Sequence, residues 1–231
     1  MEAIPSGIKK LDELIDGGFR HPSTIYLVGE PGAGKTTFAM QYLCEGAKKG
    51  EKGVYFSVVG ESAAMVIEYM SQYTFWKNDY LGEFIEFVDL SNTLAKEGIE
   101  KAIDIMKKTI EKMEPARAVI DSITPFSLKA SSESEHRALL YDLYLDMKAW
   151  GCTTVVLGEV KGDRIISTEE YMADAVIKIG FLEKGIESVR YIKIKKMRGV
   201  NHTNKYHTLE ITPEGMVVSR FSEFDAGFKI D

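Results

Sequence analysis

The feature that most constrains the fold is the octet Gly-Glu-Pro-Gly-Ala-Gly-Lys-Thr at residues 29–36, which fits the pattern Gly-x-x-x-x-Gly-Lys-Ser/Thr. Glycines permit positive φ, so successive N–H groups can turn inward around an anion. The apolar run 23–28 before the octet predicts a buried strand, and residues 36–48 after it predict a helix ended by Gly50. Strand, glycine loop and helix in this order predict an α/β fold with a phosphate-binding loop.

This phosphate loop predicts a nucleoside triphosphate ligand bound together with Mg²⁺. The start of the helix adds positive dipole at the phosphates. We expect the Lys35 ammonium to reach the β- and γ-phosphates and to take part in catalysis, and the Thr36 hydroxyl to coordinate Mg²⁺. The predicted nucleotide-binding residues are Gly29, Glu30, Pro31, Gly32, Ala33, Gly34, Lys35, Thr36 and Thr37.

Strand and helix patterns alternate along the chain up to about residue 174. Further strands are predicted at 53–59, 84–88, 117–121 and 153–157, and helices at 7–15, 61–73, 95–113 and 135–150. Nearly continuous apolar strands between helices favour a mostly parallel central sheet covered on both faces. Strand patterns at 175–181, 189–197, 206–211 and 216–218 with short connections then predict an antiparallel extension at the C-terminal end.

Composition limits the function classes. The chain has 231 residues, of which 45 % are hydrophobic, and no linker-like stretch, so a single domain over 1–231 is the simplest prediction. The net charge of −6 disfavours tight non-specific DNA binding by the monomer, although a basic pore built by assembly stays open. No apolar run reaches the length of a membrane span, and no signal-peptide pattern is visible, so we expect a cytoplasmic protein with Cys44 and Cys152 reduced.

Two carboxylates are candidates for work beside the phosphates. Asp121 ends the apolar strand 117–121, where a nucleotide site needs a second group on the Mg²⁺ side. The alternative for Asp121 is a cap before Ser122. Glu61 follows the strand at 53–59 and is the candidate base that activates water; its alternative is a helix N-terminal carboxylate favoured by the dipole.

Several further motifs occur in a fixed order with these. They are Pro-Ser-Gly-Ile at 5–8, Leu-Asp-Glu-Leu-Ile-Asp-Gly-Gly at 11–18, the phosphate loop, the strand leading to Glu61-Ser62, the strand ending at Asp121, Thr-Glu-Glu-Tyr-Met-Ala-Asp at 168–174, Lys-Met-Arg-Gly at 196–199 with His202, and Leu-Glu-Ile-Thr-Pro-Glu-Gly at 209–215. This ordered set resembles the KaiC-like branch of the RecA/RadA superfamily, in its single-domain archaeal form. The resemblance covers nearly the whole chain.

The resemblance implies a RecA-like ATPase core that assembles head-to-tail, usually as a hexameric ring, with ATP between subunits. It also implies that Lys196 and Arg198 reach the nucleotide of the neighbouring subunit as catalytic trans residues, and that His202 lies close to the same nucleotide. A trans arginine of this kind is worth about 10³–10⁵ in rate. The alternative is that these cations form a solvated strand face.

One position departs from the family pattern, which has two adjacent glutamates after the second strand. Gly60 occupies the first place and only Glu61 remains, so either Glu61 activates water or the chain hydrolyses ATP slowly. Glu159 ends the strand beginning at Thr153, where related proteins place a polar γ-phosphate sensor, and is a second candidate; its alternative is an ordinary strand-end carboxylate. Three functions therefore stand open: an ATPase, a non-hydrolysing ATP-dependent switch for an unidentified protein partner, and a recombinase paralogue acting on DNA, which the acidic charge disfavours.

Overall fold

A nine-stranded sheet and a separate two-stranded ribbon organise the computed structural model, which describes residues 2–58, 62–129, 132–160, 167–184 and 186–219. The strands are β1 (Ala3–Ile4), β2 (Phe19–Arg20), β3 (Thr24–Gly29), β4 (Gly53–Ser57), β5 (Ile85–Asp89), β6 (Arg117–Asp121), β7 (Thr153–Glu159), β8 (Ala175–Lys184), β9 (Glu187–Met197), β10 (His207–Thr212) and β11 (Gly215–Val218). The helices are α1 (Lys35–Ala47), α2 (Ala63–Met70), α3 (Tyr80–Glu83), α4 (Ser91–Lys96), α5 (Ile99–Met113), α6 (Thr124–Lys129), α7 (Glu133–Ala149) and α8 (Thr168–Met172).

The large sheet is parallel in one half and antiparallel in the other. Its strand order is β11-β10-β9-β8-β3-β7-β6-β4-β5. The strands β8, β3, β7, β6, β4 and β5 run parallel, and β9, β10 and β11 continue from β8 with antiparallel pairing. The predicted fold class, a mostly parallel sheet flanked by helices with an antiparallel C-terminal extension, is confirmed.

Alternation along β3 sends side chains into two apolar layers. Ile25 and Leu27 belong to the layer that contains residues of α1, whereas Tyr26 and Val28 belong to the layer that contains residues of α5 and α7. Every residue of β3 is buried, which is the burial expected of a central strand covered on both faces. This rigid strand carries the phosphate loop at its C-terminal end.

The predicted helix at 7–15 is wrong. Only a single 3₁₀ turn forms there, at Asp12–Leu14, and the preceding chain is held by Asp12 Oδ1, which accepts from the Ser6 N–H at 2.9 Å. Ile8, Leu11 and Ile15 are nevertheless fully or almost fully buried. Lys10 takes a positive φ of 68°, which a helix does not allow. A succession of turns therefore buries these three residues in place of a helix.

The predicted helix at 95–113 is divided in two. Gly98 has φ 92° and separates α4 from α5, which begins at Ile99. α5 is amphipathic, since its buried residues Ala102, Met106 and Ile110 recur at a spacing of four.

A buried arginine fixes the start of β6. The Arg117 side chain has no exposed surface; its Nε donates to Glu51 Oε2 at 2.7 Å, and Nη1 donates to the carbonyls of Pro5 (2.8 Å) and Tyr42 (3.0 Å). These bonds link the N-terminal segment, α1 and the sheet.

Among the described residues, no helix combines the length and the apolar character that crossing a membrane requires. Both cysteines are buried free thiols.

Candidate nucleotide-binding site

The phosphate loop joins the C-terminal end of β3 to the first turn of α1, as the motif predicts. Gly34 precedes α1 with a φ of 104°, a left-handed backbone conformation that residues other than glycine rarely adopt. A Cβ at Gly34 would lie 2.4 Å from Met216 Cε and 2.9 Å from Ile211 Cδ1. The loop is therefore packed against the β10–β11 hairpin, and the positive φ makes glycine the residue that this position favours.

The Lys35 ammonium lies inside the loop. Its Nζ donates to the carbonyls of Gly29 at 2.9 Å and Glu30 at 3.1 Å. Burial lowers the pKa of Lys35, while the charges of Glu159, Asp121 and Glu30 oppose that shift. A half-buried cation held by backbone carbonyls can be transferred to phosphate oxygens, which are charged acceptors and stronger ones.

Asp121 lies beside Thr36, as the sequence predicts. The Thr36 hydroxyl donates to Asp121 Oδ2 at 3.3 Å. Burial raises the pKa of Asp121, and the hydrogen bonds from Tyr55 and Thr36 together with the charge of Lys35 oppose this. A carboxylate and a hydroxyl at this distance are oxygen ligands that suit Mg²⁺, with phosphate oxygens and water completing the shell. These two side chains fit the cation that the motif implies.

Tyr55 is a site residue that sequence reasoning misses. Its hydroxyl donates a short hydrogen bond to Asp121 Oδ2, and its ring stacks on Phe87 with centroids 5.1 Å apart. The strands β4 and β6 are paired in register, with Tyr55 opposite Val119 and Ser57 opposite Asp121. The contact becomes visible only once this pairing is known, because 66 residues separate the two partners.

A cavity of about 680 Å³ opens over these groups, a size typical of small-molecule sites. Its lining includes residues of the phosphate loop together with Thr36, Thr37, Asp121 and Ser122. It also includes Tyr69, Gln72, Tyr73 and Ile211. The cavity wall thus combines charged groups with two aromatic rings and one amide.

Glu159 lines the same cavity from β7, the strand between β3 and β6. It pairs with Gly29 at the start of the loop and is exposed. Since Ile120 pairs with Val156, Glu159 projects two residues further than the level of Asp121. Its negative charge partly offsets the lowering of the Lys35 pKa by burial and adds to the raising of the Asp121 pKa. Glu61 and Gly60 lie outside the described residues.

Lys196 and Arg198 lie at the end of the sheet where the parallel strands begin, opposite the end that carries the phosphate loop. Ala175, at the start of β8, pairs with Met197 and with Ile25, near the start of β3. The five steps from Thr24 to Gly29 span about 16 Å, so these cations are remote from the phosphate loop of their own chain.

Both cations contact α8. Lys196 Nζ donates to the carbonyls of Glu170, Tyr171 and Ala173 at 3.0, 2.9 and 2.6 Å, and burial lowers its pKa. Arg198 Nη2 donates to the Tyr171 carbonyl at 3.1 Å, while 49 % of its side chain is exposed. Arg198 is therefore the more available of the two. His202 follows in the next loop, with Nδ1 3.0 Å from the Thr203 carbonyl oxygen.

Comparison with known proteins identifies the family. The family model described as "ATPase: KaiC" matches residues 4–223. A UPF0273 protein of Pyrococcus horikoshii is 27 % identical over 93 % of both chains. The circadian clock protein KaiC2 of Synechocystis is 29 % identical over 93 % of this chain and 39 % of its own length. The crystal structure of a KaiC-like protein from Pyrococcus horikoshii superposes with a TM-score of 0.83 at 33 % identity, covering 94 % of this chain and 99 % of the other. The chain therefore belongs to the KaiC family of nucleotide-binding ATPases.

Proposed function

We propose that this chain is a Mg²⁺-dependent ATPase whose nucleotide lies between subunits of a head-to-tail homo-oligomer, a hexameric ring in the form its family implies. The observation that carries the proposal is the division of the machinery between two edges. Lys35, Thr36 and Asp121 converge at one edge of the sheet, and Arg198 is presented at the other.

In this mechanism the triphosphate binds where the phosphate loop lines the cavity. Lys35 moves from the Gly29 and Glu30 carbonyls to the β- and γ-phosphates, and the backbone N–H groups of the loop bind the remaining oxygens. Thr36 and Asp121 hold Mg²⁺, which neutralises developing charge on the phosphates when bound. Tyr55 fixes the orientation of the Asp121 carboxylate.

The base of the nucleotide contacts the part of the cavity lining that Tyr69, Gln72 and Tyr73 contribute. The rings of Tyr69 and Tyr73 offer stacking surfaces there, and the Gln72 amide offers both a donor and an acceptor. An aromatic and amide lining is the kind that recognises a planar, hydrogen-bonding ring.

The neighbouring subunit completes the binding site around the γ-phosphate. Interfaces that use two different faces are heterologous and form a ring when the rotation closes. Exposed apolar side chains occur on elements at both edges. Tyr171 on α8 is 68 % exposed beside Arg198; Tyr69 on α2 lines the cavity and is 44 % exposed, and Met65 on the same helix is 42 % exposed. Packing these faces together places Arg198 over the γ-phosphate of the neighbour, with His202 close by and Lys196 bracing α8.

Two carboxylates are proposed for water activation. Glu61 is the residue that the family pattern favours, and Glu159 is the one that lines the described cavity next to Lys35. A carboxylate near the γ-phosphate repels ATP and orients the attacking water. Glu159→Gln should therefore tighten ATP binding while lowering turnover if Glu159 is the activating group, and Glu61→Gln should do so if Glu61 is.

The test is ATP turnover by the wild type beside Lys35→Ala, Glu61→Gln and Glu159→Gln, at a protein concentration where the oligomer forms. We expect Lys35→Ala to abolish turnover and one of the glutamine variants to lower it about 10²–10⁴-fold. Asp104→Asn, on the exposed face of α5, is the matched control. Phosphate release unchanged in Lys35→Ala would refute the proposal.

A second candidate is a non-hydrolysing switch that uses ATP to assemble and to bind a protein partner. Gly60 favours it, because it stands where the family pattern has the first of two glutamates. ATP-dependent oligomerisation without ADP formation would support it. The net charge of −6 gives no support to DNA as the partner.

A further inference from the structure

Asp174 connects three elements at the sheet edge remote from the phosphate loop. Its N–H donates to the Thr24 carbonyl at 2.9 Å, its Oδ2 accepts from the Thr24 N–H at 3.1 Å, and its carbonyl accepts from the Arg198 N–H at 2.9 Å. Thr24 is 1 % exposed and begins the buried central strand β3. The Asp174 main chain and one carboxylate oxygen are therefore anchored on a fully buried strand of the sheet.

The second carboxylate oxygen faces two cations. Asp174 Oδ1 lies 3.6 Å from Lys148 Nζ and 3.8 Å from Arg198 Nη1. Both distances exceed that of a hydrogen bond, so the attraction is ionic and does not fix the guanidinium geometry. Arg198 also lines a recess of about 330 Å³, whose apolar walls include Phe19, Pro22 and Met197. The guanidinium consequently has space to move while its direction is biased by one anchored charge.

We propose that Asp174 is a positioning residue for Arg198, an inference that rests on the trans role given to Arg198 above. The carboxylate holds the guanidinium at the subunit edge. A triphosphate carries more negative charge than one carboxylate, so the neighbour's nucleotide draws the arginine away without breaking a direct hydrogen bond to Asp174. In this movement the guanidinium gives up the 3.1 Å hydrogen bond that Nη2 donates to the Tyr171 carbonyl.

The variant that isolates this role is Asp174→Asn. The amide oxygen still accepts from the Thr24 N–H, so the anchor is retained while the charge is lost. We expect kcat to fall about 10-fold, since small misplacements of a catalytic group carry penalties of this order or larger. The ATP affinity of the P-loop site, measured with a fluorescent ATP analogue, should stay within about 2-fold because the phosphate loop is untouched.

Asp146→Asn is the matched control. Asp146 lies on α7 and pairs with Lys107 at 2.8 Å, so the substitution removes the same charge from an ion pair on another face. Its kcat should equal that of the wild type.

A double-variant cycle with Arg198→Ala tests whether Asp174 acts through the arginine. If it does, Asp174→Asn has no further effect on kcat in the Arg198→Ala background. Losses that multiply would overturn the positioning role. Should Asp174→Asn fail to fold by circular dichroism, Asp174→Glu, which displaces the charge by one methylene, enters the same cycle with the same expectation.

The cycle also separates the two proposals. If Arg198→Ala lowers kcat and Asp174→Asn does not, the positioning role is wrong and the trans arginine stands. If Arg198→Ala leaves kcat unchanged, the trans arginine is wrong and the role of Asp174 falls with it.

Discussion

The buried ion pair between Arg117 and Glu51 should contribute strongly to stability. Arg117 is fully buried, and its Nε–Glu51 Oε2 distance of 2.7 Å is that of a charge-assisted hydrogen bond. Glu51→Gln removes the countercharge that is hydrogen-bonded to the guanidinium. Removing one partner of a buried pair costs about 3–5 kcal/mol.

Partial exposure of Glu51 reduces that value. Its side chain is 27 % exposed, so water compensates part of the loss, and about 2–3 kcal/mol is the expected decrease in the free energy of unfolding. For a chain of this size each kcal/mol lowers Tm by about 2–4 °C. The expected shift is therefore about 4–12 °C.

Thermal and urea unfolding of Glu51→Gln and of the double variant Glu51→Gln/Arg117→Met measure this contribution. The double variant should recover part of the loss, because the unpaired buried charge is gone. Asp104→Asn, an exposed ion-pair residue, should leave Tm unchanged. A Tm shift below about 1 °C for Glu51→Gln would show that the pair is not needed for stability.

Three further predictions concern the nucleotide site. Gly34→Ala should weaken binding of a fluorescent ATP analogue, because alanine is strained at a φ of 104° and its Cβ would force Met216 Cε, 2.4 Å away, to move; wild-type affinity would contradict this conformational requirement. Tyr55→Phe removes a hydrogen bond that lowers the pKa of Asp121, so that pKa rises further. Mg²⁺ needs the carboxylate ionised. As pH is lowered, Mg²⁺-dependent nucleotide binding should therefore be lost at a higher pH in Tyr55→Phe than in the wild type. An unshifted pH profile would exclude this role of Tyr55. Burial also raises the pKa of Asp121 above its usual value, so the ionised carboxylate destabilises the folded protein. At pH values above this pKa, Asp121→Asn should therefore have a higher Tm than the wild type. A lower Tm for the variant at those pH values would contradict the direction of the pKa shift.

The sequence predicts the parts of the fold that depend on local pattern. The parallel strands are found because each is an apolar run bounded by turns, and the phosphate loop because its residues are contiguous. The region 7–15 fails since burial of Ile8, Leu11 and Ile15 requires only that they face inward, which turns achieve as well as a helix. The division at Gly98 is missed because a single glycine is also tolerated inside helices.

The sequence predicts only those site residues that belong to a recognisable motif. Lys35, Thr36 and Asp121 meet as expected. Tyr55 and Asp174 are missed because their contacts depend on strand pairing and chain crossing across 66 and 150 residues. The bonds from Lys196 to α8 are likewise invisible in the sequence, which shows only a cation near an arginine.

Mixing two inactive variants tests the shared site most directly. Lys35→Ala subunits keep Arg198 but lack the phosphate-binding ammonium, and Arg198→Ala subunits keep the phosphate loop but lack the trans arginine. In a randomly mixed head-to-tail ring, an intact loop faces an intact arginine at about one quarter of the interfaces. We predict that each variant alone is nearly inactive and that an equimolar mixture regains about one quarter of the wild-type turnover. A mixture as inactive as its components would contradict a nucleotide site completed by the neighbouring subunit.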